Sequence, residues 1–140
     1  MATIANLATL LQTMQPTLNE GTYVYASVPD GRNLPAHAIV ASIRESEGLS
    51  VVIEESAAHQ AGLSAVFRCA WITLSVNSDL EAVGLTAAFS SELAKAGISC
   101  NVIAGLHHDH LFVPVGQANS ALDVLRALQA RSNVDRRQDA

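Results

Sequence analysis

The octapeptide CAWITLSV, Cys69 to Val76, constrains the fold more than any other stretch. Ile72, Leu74 and Val76 fall on one side of an extended chain, and Trp71, Thr73 and Ser75 on the other, the period-two pattern of a half-buried strand. SDLE at Ser78–Glu81 then reads as a capping box, the Ser78 hydroxyl accepting from an early helical N–H while Glu81 reaches back. The expected helix carries Leu80, Val83, Ala87, Ser91 and Ala94 down one face, with Gly97 as its C′ stop. ISCNVIAG and LFVPV read as two strands, and QANSALDVLRALQA as a closing helix on Ala118, Ala121, Leu122, Leu125 and Leu128. Residues 66–130 are thus β-α-β-β-α, and one further strand makes the α+β, ferredoxin-like split βαβ plan.

The first half repeats this plan in reduced form. Ile4, Leu7, Leu10, Leu11 and Met14 recur at helical spacing, with Thr3 as N-cap and Pro16 as stop. Asn19–Gly21 turns the chain into a strand over Thr22–Val28, and Pro29–Pro35 is a loop. Strands over Ala36–Glu45 and Leu49–Glu55 and a short helix over Ser56–Leu63 follow. The expected division is an N-terminal helix with a degenerate half over 1–65, a fuller module over 66–130, and a disordered tail over 131–140. The strand around Trp71 is the candidate element shared by the halves.

Composition excludes several functions. With a net charge of −5, one Trp, two Tyr and three Phe, the chain lacks the clustered cations and aromatic platforms of a nucleic-acid binder. No apolar run approaches the ~20 residues of a membrane span, and the N-terminus lacks the basic region of a signal peptide. Cys69 and Cys100 sit in apolar runs without CxxC spacing, so reduced core thiols and a cytoplasmic location are expected.

Chemistry-bearing candidates are few. His107, His108, Asp109 and His110 are the residue types of a zinc or divalent-metal site. In an extended chain, however, neighbours point to alternate faces and cannot converge on one ion, so a hairpin turn between two strands is the simpler reading. Glu54 and Glu55 likewise face opposite sides, which argues against a carboxylate dyad. Recognisable Ser-His-Asp, Cys-His and GxxxxGK signatures are absent from the sequence. Gly84 can serve close helix–sheet packing or leave room for a ligand.

The segment WITLSVNSDLEAVGLTAAFSSELAKAGISCNVIAGLHHDHLFVPV, together with EGLSVVIEE, resembles the ACT domain family over residues 15–130. The likeness is strongest to bacterial tandem ACT-like proteins, in which AVGL, ISCNVIAG and HDH-FVP recur. A more distant resemblance is to cytosolic arginine sensors built from tandem ACT halves. It implies βαββαβ modules that pair side by side and hold an amino acid where a helix start meets a neighbouring strand. Carried onto this sequence, the implied ligand positions are Asp79, Val83 and Gly84 at the helix start, and Ser99, Cys100 and Asn101 on the strand. Ser99 and Asn101 also fit the bland reading of polar residues on a solvated face, and Cys100 that of a small buried hydrophobe.

The expectation is therefore a cytoplasmic, non-enzymatic regulatory protein that binds a small molecule, an amino acid above all, as a homodimer, with no cofactor, metal, membrane or nucleic acid. The alternatives are a ligand-free dimerisation module and a small metal-assisted enzyme using the histidine segment.

Overall fold

The computed structural model describes residues 6–29, 33–76 and 79–138, with side chains of the last helix described through Ser132. The chain forms two compact units: Glu20–Ala70, and Met1–Asn19 together with Trp71–Ala140. The N-terminal helix thus belongs with the second module rather than with residues 20–65, as the sequence reading had grouped it.

The Glu20–Ala70 unit holds β2 (Tyr23–Val28), β3 (Ile39–Glu45), β4 (Gly48–Glu54), α2 (Glu55–Gln60) and the start of β5 (Phe67–Leu74). Its strands are ordered β3-β4-β2-β5, all antiparallel. Numbered within the unit this is second–third–first–fourth, the order of a ferredoxin-like sheet. Between its first two strands, where that plan has a helix, the described residues hold only a 3₁₀ turn at Ala36–Ala38. The copy is therefore reduced at one helix while its strand order is intact. Val24, Ala26 and Val28 alternate inward with Val51 and Ile53, and Ala57, Ala58 and Leu63 close over them. Small alanines at the covering positions let the short α2 approach the sheet closely.

The other unit contains α1 (Leu7–Thr13), β1 (Pro16–Leu18), the end of β5, α3 (Leu85–Lys95), β6 (Asn101–Ala104), β7 (Asp109–Pro114) and α4 (Ala118–Gln138). Here β5 pairs with β7, β7 with β6, and β1 with β5. β1 takes the place of the fourth strand, supplied from before the module rather than after it. Pro16 sits opposite Leu74 and Leu18 opposite Ile72. β5 thus serves both units, pairing with β2 over Phe67–Cys69 and with β1 over Ile72–Leu74. The expected sharing of the Trp71 strand is what the pairing gives.

Ile72 and Leu74 of β5, and Val76 two residues beyond it, are buried, as their alternation predicts. Also buried in this unit are Leu111 and Val113 from β7, Leu85, Phe89 and Leu93 from α3, and Ala121, Leu122, Leu125 and Leu128 from α4. At ~25 cal/mol per Å² of apolar surface removed from water, this layer dominates the unit's stability. α1 is N-capped by Asn6, whose side chain accepts from Thr9 N at 3.1 Å; Thr3, the expected cap, lies outside the described residues. The buried Gln12 of α1 donates to Ser132 O at 3.4 Å, and Gln129 returns a bond to Gln12 O at 2.8 Å, which clasps α1 to α4. α4 runs through the stretch expected as a disordered tail as far as Gln138, and Arg131 pairs with Glu92 of α3 at 3.2 Å.

α3 differs most from expectation. It begins at Leu85, not near Ser78, and its buried face is Leu85, Phe89 and Leu93 rather than Leu80, Val83, Ala87, Ser91 and Ala94. Asp79 builds a turn instead, its Oδ1 accepting from Glu81 N at 2.8 Å and its carbonyl from Ala82 N at 2.9 Å. An Asx turn of this kind competes with helix initiation for the same N–H groups. Ser78 of the expected capping box lies outside the described residues. The stop is as expected: Gly97 adopts φ +74°, and Ile98 N and Gly97 N reach back to Leu93 O and Ala94 O, a Schellman closure.

Candidate functional site

Gly84 is the N-cap of α3, in the left-handed region at φ +105°, and caps nothing with a side chain. It is a helix start, not the mid-helix glycine that the sequence pattern implied. The left-handed backbone favours glycine here, and a Cβ would also come within 3.1 Å of Leu7 Cδ2, which would have to shift slightly to admit it. Around it lies a cavity of about 140 Å³ lined by Asp79, Leu80, Ala82, Gly84, Leu85, Thr86, Ala104 and Asp109. The first-turn N–H groups of α3 and its positive dipole end border one side. Two carboxylate residues, Asp79 and Asp109, contribute to the rest, and Asp109 is only 7% exposed. Leu80 and Val83 stand out into solvent, Val83 at 84% exposure, and Leu106 of the neighbouring turn is also exposed.

Asp109 reaches the cavity because it begins β7, opposite Ala104, at the last registered pair of the β6–β7 hairpin. The hairpin turn proper is Gly105–His108, closed by Gly105 N donating to His108 O at 2.9 Å. The expected turn thus covers His107 and His108, while Asp109 and His110 belong to the strand. His108 Nδ1 lies 3.3 Å from Val76 O. His110 points to the opposite face from Asp109, where its Nδ1 accepts from Trp71 Nε1 at 3.0 Å and lies 3.1 Å from Thr73 Oγ1. Burial first, and the charge of His108 second, pushes the His110 pKa below its ordinary value, with Asp109 opposing. Among the described residues, no group of three or more His, Cys, Asp or Glu side chains is placed to hold a metal ion.

Of the six implied ligand positions, Asp79 and Gly84 line the cavity and Val83 stands beside it. Ser99, Cys100 and Asn101 do not join them. Asn101 opens β6 opposite Phe112, three residues and roughly 10 Å of strand from Ala104. Ser99 and Cys100 precede the strand rather than forming part of it. The Cys100 thiol is half-buried and pushed up to about 11 by desolvation, far from a nucleophile's range. Sequence reasoning missed Asp109, Thr86 and Ala104. The first was assigned to a turn tip, yet its place at the first residue after a tight turn, on the same alternation as Leu111 and Val113, is a signal that could have found it.

Two further hollows of about 370 and 450 Å³ flank the ends of α2. They are larger but more open, and Glu55 beside the second is already taken by Arg68, whose Nη2 lies 3.1 Å from Oε1. Glu55 therefore forms an ion pair with Arg68 and not a dyad with Glu54. The cavity at α3 combines helix donors with carboxylates in a half-closed space and is the candidate site.

Strand order and helix placement define a ferredoxin-like module with a cleft at the start of α3. Profiles of the ACT domain match residues 2–70 and 66–127, so the chain belongs to the ACT domain family and carries two such domains in tandem. A regulatory, ligand-binding role in general follows from that membership. Among solved structures, a protein of unknown function from Vibrio cholerae, described as a possible transport protein, is 44% identical with a TM-score of 0.75, over 88% of this chain and 95% of that one. A protein from Agrobacterium tumefaciens is 20% identical with a TM-score of 0.62, covering 81% of this chain and 87% of its own. The ligand-free regulatory subunit of aspartate kinase from Thermus thermophilus is 12% identical with a TM-score of 0.62, covering 84% and 97%. The last two likenesses show the fold alone. A comparison with curated proteins gives no match. No helix among the described residues is long and apolar enough to cross a membrane.

Proposed function

We propose that this protein is a non-catalytic cytoplasmic sensor that binds a free amino acid in the cavity at the start of α3 and works as a homodimer. The supporting observation is that cavity's pairing of opposite polarities: uncapped helix N–H groups on one side, Asp79 and Asp109 on the other. An amino acid is a zwitterion. Its carboxylate suits the helix N-terminus, and its ammonium suits a carboxylate that burial deprives of competing water. A volume of about 140 Å³ accommodates the backbone and a small side chain, or the backbone end of a larger one.

The resemblance implies that Ser99, Cys100 and Asn101 act on a ligand from a neighbouring module. Their distance from this cavity within one chain fits a role across a dimer, with Val83 and Leu80 as exposed apolar contacts. Calorimetry against each of the twenty amino acids tests the reading. At least one gives a saturable heat, which Gly84→Leu abolishes and Asp109→Asn weakens about tenfold or more, as expected for loss of a charge-assisted bond. Silence from all twenty would overturn it.

A further inference from the structure

The histidine segment has no part in the cavity's lining beyond Asp109, yet His110 is held by more directed contacts than any other histidine described. We propose that His110 is a positioning residue and a pH-sensitive latch: in its neutral form it fixes the β6–β7 hairpin so that Asp109 faces the cavity, and protonation of its ring releases the hairpin and weakens ligand binding. This rests on the ligand-binding reading of the cavity given above.

The tautomer follows from the donors. An indole N–H can only donate, so the Trp71 bond at 3.0 Å makes Nδ1 of His110 the acceptor and puts the neutral ring's proton on Nε2. Thr73 agrees. Its Oγ1 already accepts from Asn19 Nδ2 at 2.9 Å, which leaves the hydroxyl hydrogen to turn toward Nδ1 at 3.1 Å. Adding a proton at Nδ1 sets N–H against the indole N–H. Thr73 can reverse its role and accept, but Trp71 cannot, so the charged ring loses that partner.

The consequence reaches the cavity through register. His110 is paired with Ile103, and the next pair along the hairpin is Ala104–Asp109, both of which line the cavity. The Nε2 edge of the ring lies beside Gly105, whose missing side chain leaves it room: a Cβ there would stand 3.2 Å from His110 Nε2 and 3.0 Å from His108 O. A ring that swings away from Trp71 turns into that space and so disturbs the turn that sets the Ala104–Asp109 pair. His108 ties the same turn to the end of β5 through Val76 O. Among the described residues, the titratable groups acting on His110 are His108, which opposes a positive charge, and Asp109, which favours one. β5 and the Asn19 segment present only neutral partners, Trp71, Thr73 and Asn19. Half-burial leaves the ring open to protons from solvent.

The test uses the full chain and its single tryptophan. Because an imidazolium quenches an adjacent indole, Trp71 fluorescence followed from about pH 8 to about pH 5 shows one step centred below the ordinary imidazole value of about 6.5. The step is absent from His110→Asn, whose Oδ1 replaces Nδ1 as an acceptor that cannot titrate. Across the same step, the protection factor of the Gly105 amide, referred to the intrinsic exchange rate at each pH, falls in the wild type and is unchanged in the variant. Affinity for amino acids, measured calorimetrically with a mixture of all twenty, falls about tenfold in the wild type and not in the variant. A fluorescence step that persists in His110→Asn, or equal Gly105 protection at both pH values, overturns the latch. Fluorescence and exchange steps with no amino-acid heat at any pH overturn the ligand reading and leave the hairpin latch in place. If His110→Asn fails to fold, Trp71→Phe substitutes for it: without the opposing indole N–H the Gly105 exchange step shifts to lower amplitude, and an unchanged step overturns the proposal.

Discussion

Trp71 donates its indole N–H to Nδ1 of His110 across the β5–β7 pair, and the two rings sit with centroids 5.7 Å apart. This relationship makes one histidine sensitive to acid for a reason other than burial alone. The folded pKa of His110 lies below the ordinary imidazole value of about 6.5, first through desolvation and then through His108. As pH falls below that value, the unfolded chain takes up a proton before the folded one does, so the unfolded state is favoured. The contribution of His110 to stability is thus complete above about 6.5 and declines as pH drops toward the depressed folded value. Urea unfolding at a series of pH values checks this. The wild type loses stability on the acid side of neutrality, and His110→Asn shows a shallower slope there.

Gly84 is expected to resist every substitution. Any other residue meets the left-handed φ of +105° and Leu7 Cδ2 at 3.1 Å. Left-handed backbone at a non-glycine residue costs about 1–2 kcal/mol, and the contact adds to it. Gly84→Ala therefore lowers unfolding free energy by roughly 1–3 kcal/mol. Leu7→Ala in the same chain relieves the steric part and not the conformational part, so the double variant recovers only a fraction of the loss. Thermal denaturation of the two single variants and the double variant separates the terms; full recovery would mean that the backbone bears no strain at this cap.

The strands were legible because period-two alternation is a direct image of burial. Ile72, Leu74 and Val76 face inward as their spacing requires, and Ala121, Leu122, Leu125 and Leu128 do so at helical spacing. The start of α3 was not legible. Leu80 and Val83 complete an apolar stripe with Ala87 and Ser91, and SDLE resembles a cap, but the Asx turn at Asp79 and the positive φ of Gly84 break the helix before it begins. β1 was missed for another reason: three residues beginning with Pro carry no alternation to read, and only their pairing with Ile72–Leu74 makes them a strand. The carboxylate of Asp109 was hidden because a turn of Asp and His residues reads as polar whichever way each side chain points.

The corrected helix face leads to a sharp contrast between two substitutions. Phe89 is fully buried in the middle of α3, and Val83, on the expected but unrealised face, is 84% exposed. Phe89→Ala leaves a cavity between α3 and the sheet and costs about 3–5 kcal/mol. Val83→Ala changes the unfolding free energy of the single chain, measured at a concentration too low for pairing, by no more than about 0.5 kcal/mol, as for an exposed position. Chemical denaturation of both variants checks the register of the helix; equal losses would restore the longer helix that the sequence pattern implied.

Thiol reactivity offers a last prediction, independent of any ligand. Cys69 is buried with its Sγ directed at Tyr23 O at 3.4 Å, and Cys100 is half-buried ahead of β6. Desolvation pushes each thiol up to about 11, and among the described residues no cation opposes it in either case. The thiolate is the reacting species, and at pH 8 a thiol of this kind holds roughly a thousandth of its population as thiolate, against a quarter for an ordinary cysteine at about 8.5. Iodoacetamide labelling of the native protein at pH 8 should therefore run on the order of a hundredfold more slowly than labelling in denaturant. Cys100 reacts before Cys69, because it differs from Cys69 in access rather than in acidity. A Cys100 that labels at the denatured rate would place it on an open surface with an ordinary thiol.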